Sequence, residues 1–155
     1  IPAAIATIII GAIQVVATFT SSLVVDRLGR RVLLLFSALV MCVCSTALGV
    51  FFFLQDVHGA ESSIVSAISW LPLLSLSLFF IAFSMGFGPI PWMMAGELCL
   101  LDIKAFVGST AGILNWLGAF TVTSTFNSLN AAIGQGQVFW LFAGILLLSF
   151  LFIFF

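Results

Sequence analysis

The chain has 155 residues, 63% of them apolar and 6% charged, with a formal net charge of −1. Soluble domains carry about 25% charged residues, so water is not the main solvent for this chain. A basic footprint for nucleic acid is missing as well, and no nucleic-acid partner is expected.

A helix needs about 20 apolar residues to cross the hydrocarbon core of a bilayer. Residues 3–25 carry no charge and form the first predicted span. Gln14 is its one strongly polar group at depth. An amide in hydrocarbon needs a partner, so Gln14 is expected to face the bundle interior, either as interhelical glue or as a ligand contact. The cluster Asp26-Arg27-Leu28-Gly29-Arg30-Arg31 ends this span, and 32–54 is the second. Cys42 and Cys44 point in different directions on a helix. With Cys99 they make no metal or redox pattern, and they read as small packing residues. Gln55, Asp56, His58, Gly59, Glu61 and Ser62 then form a polar loop.

The third span, 70–96, is interrupted by Gly86-Phe87-Gly88-Pro89-Ile90-Pro91-Trp92. Pro89 and Pro91 lack amide donors and their rings clash with the preceding turn, so a regular helix cannot run through. Freed carbonyls in lipid must be satisfied by protein or by water in a cavity, and broken helices of this kind line substrate sites in transporters. The competing reading is a kink that serves packing alone. Trp92 follows the break, inside the span, where its ring suits stacking on a ligand and its N–H can donate. Trp70 and Trp140, near the span ends, suit the aromatic belt.

Glu97, Asp102 and Lys104 mark the next loop, and 105–128 is the fourth span, with Asn115 and Trp116 adjacent in mid-helix. Asn115, like Gln14, is expected to face inward, as glue or as a ligand contact. Gly108 and Gly112 form a small-xxx-small face suited to helix packing. Asn130 to Gln137 reads as a short polar turn before the fifth span, 138–155. There is no initiator Met, charged n-region or cleavage site, so Ile1 begins no signal peptide. Phe155 stops inside an apolar run. The chain reads as a piece of something longer.

All four cations (Arg27, Arg30, Arg31 and Lys104) lie in the first and third loops. The positive-inside rule therefore puts those loops in the cytoplasm. The fold class expected is an all-α membrane bundle of five spans. No acid lies within a span, and the lone His58 sits in an outer loop. A multi-pass enzyme would need acids or histidines arranged at one membrane face, so an enzyme is not expected, and neither is a cofactor or a metal.

The motifs also resemble a known family. The D-R-L-G-R-R run at residues 26–31 is similar to a signature of the major facilitator superfamily. Gly88-Pro89-Ile90-Pro91-Trp92 followed by Glu97-Leu98, and Asn115-Trp116 in the next span, resemble the sugar porter family in order and spacing. The resemblance covers the whole chain and implies transmembrane helices eight to twelve of the C-terminal half. Residues 11–19 and 69–73 look most like insect facilitated trehalose transporters.

The resemblance implies facilitative uniport of a sugar, trehalose or a hexose, by alternating access, in the plasma membrane. The partners implied are the sugar, the bilayer and the missing N-terminal helices of the same protein. It implies Gln14, Gly88, Trp92, Asn115 and Trp116 as substrate-binding residues, with Gly86, Pro89 and Pro91 forming the helix break. Asp26, Arg30, Arg31, Glu97 and Lys104 are implied as gating charges that pair between helix bundles at the cytoplasmic mouth. Ser84 and Ala119 stand where glucose facilitators commonly carry Glu and Asn, which counts against glucose. Phe87 replaces a common Pro, and Lys104 replaces an Arg, keeping charge but losing its fork. The rival readings are a sugar-binding sensor that does not transport and a truncated, non-functional product.

The topology is testable in the full-length protein. A cysteine at Gly29 is expected to react with impermeant thiol reagents only after permeabilisation, and one at Gly59 on intact cells. Labelling at position 29 from outside would reverse the orientation.

Overall fold

The computed structural model describes residues 2–59 and 63–155. Glu61 and Ser62, assigned above to the second loop, and Ile1 lie outside the described residues. Seven helices follow in order: α1 (Ala3–Leu28), α2 (Arg30–His58), α3 (Ser63–Ala67), α4 (Leu71–Met85), α5 (Ile90–Leu98), α6 (Leu101–Ile133) and α7 (Gln135–Phe154). With α4 and α5 taken as one interrupted segment, five are long and apolar enough to cross a membrane.

The helices run past the apolar spans at seven of their ten ends. Arg30 and His58 are both helical, and the expected polar turn at 130–137 narrows to Gly134. Polar residues mark where a helix leaves hydrocarbon, not where its hydrogen bonding stops. What stops it is backbone geometry. Gly134 has φ +87° and Gly29 φ +82°, a region costly for any residue with a Cβ. At each, the glycine amide donates back to a carbonyl four residues earlier, from Asn130 at 3.0 Å and Val25 at 3.3 Å. The third loop likewise shrinks to Cys99 and Leu100.

Helix α2 is the centre of the bundle and packs chiefly against α7 and α4, while α1 packs on α4. Its buried residues (Leu33, Ser37, Met41, Cys44, Leu48 and Phe51 among them) recur every three or four positions, giving one continuous face. Two small-residue contacts bring backbones together. A Cβ on Gly136 would lie 2.7 Å from the Gly49 carbonyl oxygen and 2.8 Å from the Phe53 nitrogen. One on Gly86 would lie 2.6 Å from the Ser37 Cβ. Without a hydrophobic drive between helices in lipid, such close approach is what dispersion-driven association requires. Trp140 covers Gly49 and packs on Phe53 with ring centroids 5.5 Å apart, so it belongs to the α2–α7 interface besides lying near a span end. Phe52 stacks on Phe139 at 5.3 Å in the same seam.

Helix α6 differs from the rest. It buries no residue and touches the bundle through α5 and α7, the latter contact including Phe126 against Phe139 at 6.5 Å. Open space surrounds both Gly108 and Gly112. The packing face expected there has no partner among the described residues.

Candidate functional site

The interruption between α4 and α5 organises the site. In a continuous helix the Met85 carbonyl would accept from the amide of residue 89 and the Phe87 carbonyl from residue 91, but both are prolines. Gly88 N–H reaches back five residues, to the Phe83 carbonyl at 2.8 Å, and Ile90 N–H donates to Gly86 at 3.2 Å. The orphaned Met85 carbonyl accepts instead from the Ser21 hydroxyl of α1, at 3.0 Å. Ser21 is fully buried. The side chain of one helix thus supplies the donor that proline removes from another, and this contact joins α1 to α4 at the level of the break.

Gly86 is where the break meets α2, and any Cβ there would overlap Ser37. Below it, Gly88, Pro91 and Trp92 line a cavity of about 470 Å³ whose further walls are Phe83, Phe87, Ala95 and, from α6, Ala111 and Asn115. Aromatic and small apolar walls with a few directed polar groups are the usual make-up of a small-molecule site. Trp92 is 47% exposed, so about half of its surface is not packed against this chain. Pro89 begins the turn that restarts the helix, its carbonyl accepting from Met93 N–H at 3.1 Å.

Three of the residues singled out in the sequence, Gly88, Trp92 and Asn115, therefore meet. Two do not join them. Trp116, the neighbour of Asn115, is 74% exposed and is not part of the cavity wall. Gln14 lies in a separate shallow recess of α1 with Gly11, Thr18 and Ser22, where Thr18 Oγ1 donates to its carbonyl at 2.8 Å. Residues 11, 14, 18 and 22 share one face of the helix, since 3.6 residues make a turn. Ser84 is buried, and among the described residues its hydroxyl is the buried side-chain oxygen that lacks a hydrogen-bond partner.

The charges gather at the far end of the same elements. The Arg30 guanidinium forms a two-pronged pair with the Glu97 carboxylate, Nη2 donating to Oε1 at 2.7 Å and Nη1 to Oε2. Among the described residues it is the one salt bridge. It joins α2 to α5 within this chain, not one bundle to another. Asp26 acts electrostatically on Arg30 and Lys104 on Glu97. The Lys104 chain lies over Gly96, whose added Cβ would be 3.6 Å from Cε. Arg31 donates to the Phe154 carbonyl near the end of α7. The Ser21 donor and the Arg31 contact escaped sequence reasoning. A serine five residues before Asp26 and a proline four residues past Met85 were the available signals, but nothing in the sequence pairs them.

The comparisons with known proteins agree on one family. The family model described as "Sugar (and other) transporter" matches residues 2–155. The facilitated trehalose transporter Tret1 of Apis mellifera ligustica is 39% identical over 147 residues, covering 95% of this chain and 28% of that protein. The Tret1 of Bombyx mori is 41% identical over 150 residues, covering 97% and 29%. Among solved structures, the inward-open xylose transporter XylE from E. coli superposes with a TM-score of 0.79 at 28% identity, over 96% of this chain and 31% of that one. The chain thus spans less than a third of the length of these relatives. With five membrane-crossing segments, an interrupted helix beside an aromatic cavity and these relatives, the chain is part of a multi-pass membrane protein and belongs to the sugar transporter family.

Proposed function

We propose that the whole protein is a facilitative sugar carrier of the plasma membrane. This chain then supplies helices eight to twelve of its C-terminal half. The sugar is trehalose or a hexose, and trehalose is favoured by the names of the relatives. No bond is made or broken. Two halves rock about a central site that opens to one side and then the other.

The observation that carries this reading is the cavity beside the break. Trp92 offers an exposed ring for the apolar face of a pyranose, and Asn115 offers an amide that both donates and accepts. Gln14, in its own recess on α1, contributes when the remaining helices complete the passage, and Trp116 belongs to the surround of Asn115. Gly86, Pro89 and Pro91 hold the helix open at this depth. In the full-length carrier Trp92→Ala is expected to cut sugar uptake severely with surface expression near normal. Losing an aromatic stacking contact of about 1 kcal/mol weakens binding several-fold. Uptake kinetics equal to wild type would remove Trp92 from the site.

The charge cluster is the second part of the reading. Asp26, Arg30, Arg31, Glu97 and Lys104 form the cytoplasmic gate. The Arg30–Glu97 pair supports this because it ties the inner end of the broken helix to α2. While the pair holds, it restrains that end of the broken helix. Glu97→Gln is expected to shift the full-length carrier toward its inward-open state and to lower binding of an outside-specific inhibitor. The exchanged pair Glu97→Arg with Arg30→Glu recovers part of that binding. Inhibitor binding and transport unchanged in Glu97→Gln would leave these charges as topology signals only.

A further inference from the structure

A larger cavity than the one beside Trp92 opens on another side of the bundle. A groove of about 890 Å³ runs between α2, the α4–α5 break, α5 and α7. Its mouth carries Arg30 and Arg31, and its walls are apolar, formed by residues such as Leu34, Met94, Leu148 and Phe152. Ser149 is the one hydroxyl in the wall, and it donates to the Ile145 carbonyl of its own helix at 3.0 Å. From Ile145 to Phe152 the groove follows α7 for about 10 Å, at 1.5 Å per residue. None of its walls comes from α6.

The two arginines at the mouth are not equivalent. Arg30 is committed to Glu97 through both of its terminal nitrogens. Arg31 has no carboxylate partner among the described residues, and one of its five N–H donors goes to the Phe154 carbonyl. The groove therefore joins an uncompensated guanidinium to a long apolar wall, at the end of the spans where hydrocarbon gives way to headgroups. A soluble anion would use the arginine and leave the wall empty. A hydrocarbon tail alone would use the wall and leave the charge. Basic pockets between transmembrane helices, with apolar flanks, are built for an anionic lipid.

We propose that this groove binds an anionic phospholipid of the arginine-side leaflet, with its phosphate on Arg31 and one acyl chain along Leu34, Met94, Leu148 and Phe152. The inference rests on the membrane-spanning fold and on this groove, and it does not depend on which sugar, if any, the protein carries.

Native mass spectrometry of the delipidated full-length protein tests it, with three probes. These are phosphatidylserine, phosphatidylcholine with the same acyl chains, and glycerophosphoserine, the headgroup without tails. Phosphatidylserine is expected to bind more tightly than phosphatidylcholine by about fivefold, the share of one interfacial cation. Glycerophosphoserine is expected not to compete. Arg31→Gln should abolish the preference, and Leu148→Trp, which fills the groove, should remove the tightest-bound copy of either lipid. The wild-type comparison and Leu148→Trp keep the test decisive if Arg31→Gln folds poorly. Equal binding of the two lipids overturns the proposal, and so does a preference that survives Arg31→Gln. Competition by glycerophosphoserine makes the site a free-anion site and also overturns it. Undiminished lipid binding in Leu148→Trp means that another part of the protein occupies the groove, with the same consequence.

Discussion

Every backbone carbonyl within a bilayer must find a donor inside the protein, because the hydrocarbon offers none. Four of the five membrane segments meet this demand with uninterrupted helices. The segment of α4 and α5 does not, since Pro89 and Pro91 remove two donors in succession. The Ser21 hydroxyl on the Met85 carbonyl answers the first of these losses, and the cavity wall beside Phe87 lies at the second. This one constraint bears on the docking of α1 on α4 and on the restart of the helix whose far end carries Glu97.

Packing keeps the break in place. Gly86 presses on Ser37 of α2, while Gly49 and Gly136 bring α2 and α7 into backbone contact. The central helix is thereby held on two sides, by contacts that tolerate no added carbon. At its end the Arg30–Glu97 pair fastens α2 to α5, above the frame that the glycines make. Helix α6 is bound more lightly. It contributes Asn115 to the cavity yet buries none of its own residues against this chain.

Much of this was legible in the residues. Apolar runs long enough to span, separated by charges, identified five segments because hydropathy is a property of each segment alone. The break was legible for a similar reason, since proline acts on its own helix. Helix ends were less so. Asn130 and Gln137 looked like a turn, but polarity reports the edge of the membrane, whereas the positive φ of Gly134 ends the helix. Contacts between helices were the least legible. Gln14 and Asn115 looked alike as buried amides, yet they lie in different recesses. Asn115 and Trp116 are adjacent, and consecutive helical positions point about 100° apart, so only the first reaches the cavity. Arg30 and Glu97 lie 67 residues apart, and nothing in their spacing along the chain says that they pair with each other.

The central claim is that the interruption at residues 86–91 exists to make a binding site and not merely to relieve packing. The most direct measurement is sugar uptake by the full-length protein carrying Pro89→Ala together with Pro91→Ala, which restores both missing amide donors and favours a continuous helix. The account predicts normal insertion and surface expression, with uptake reduced to background, because a continuous helix turns Trp92 away from Asn115. Uptake at the wild-type rate in that variant would contradict it.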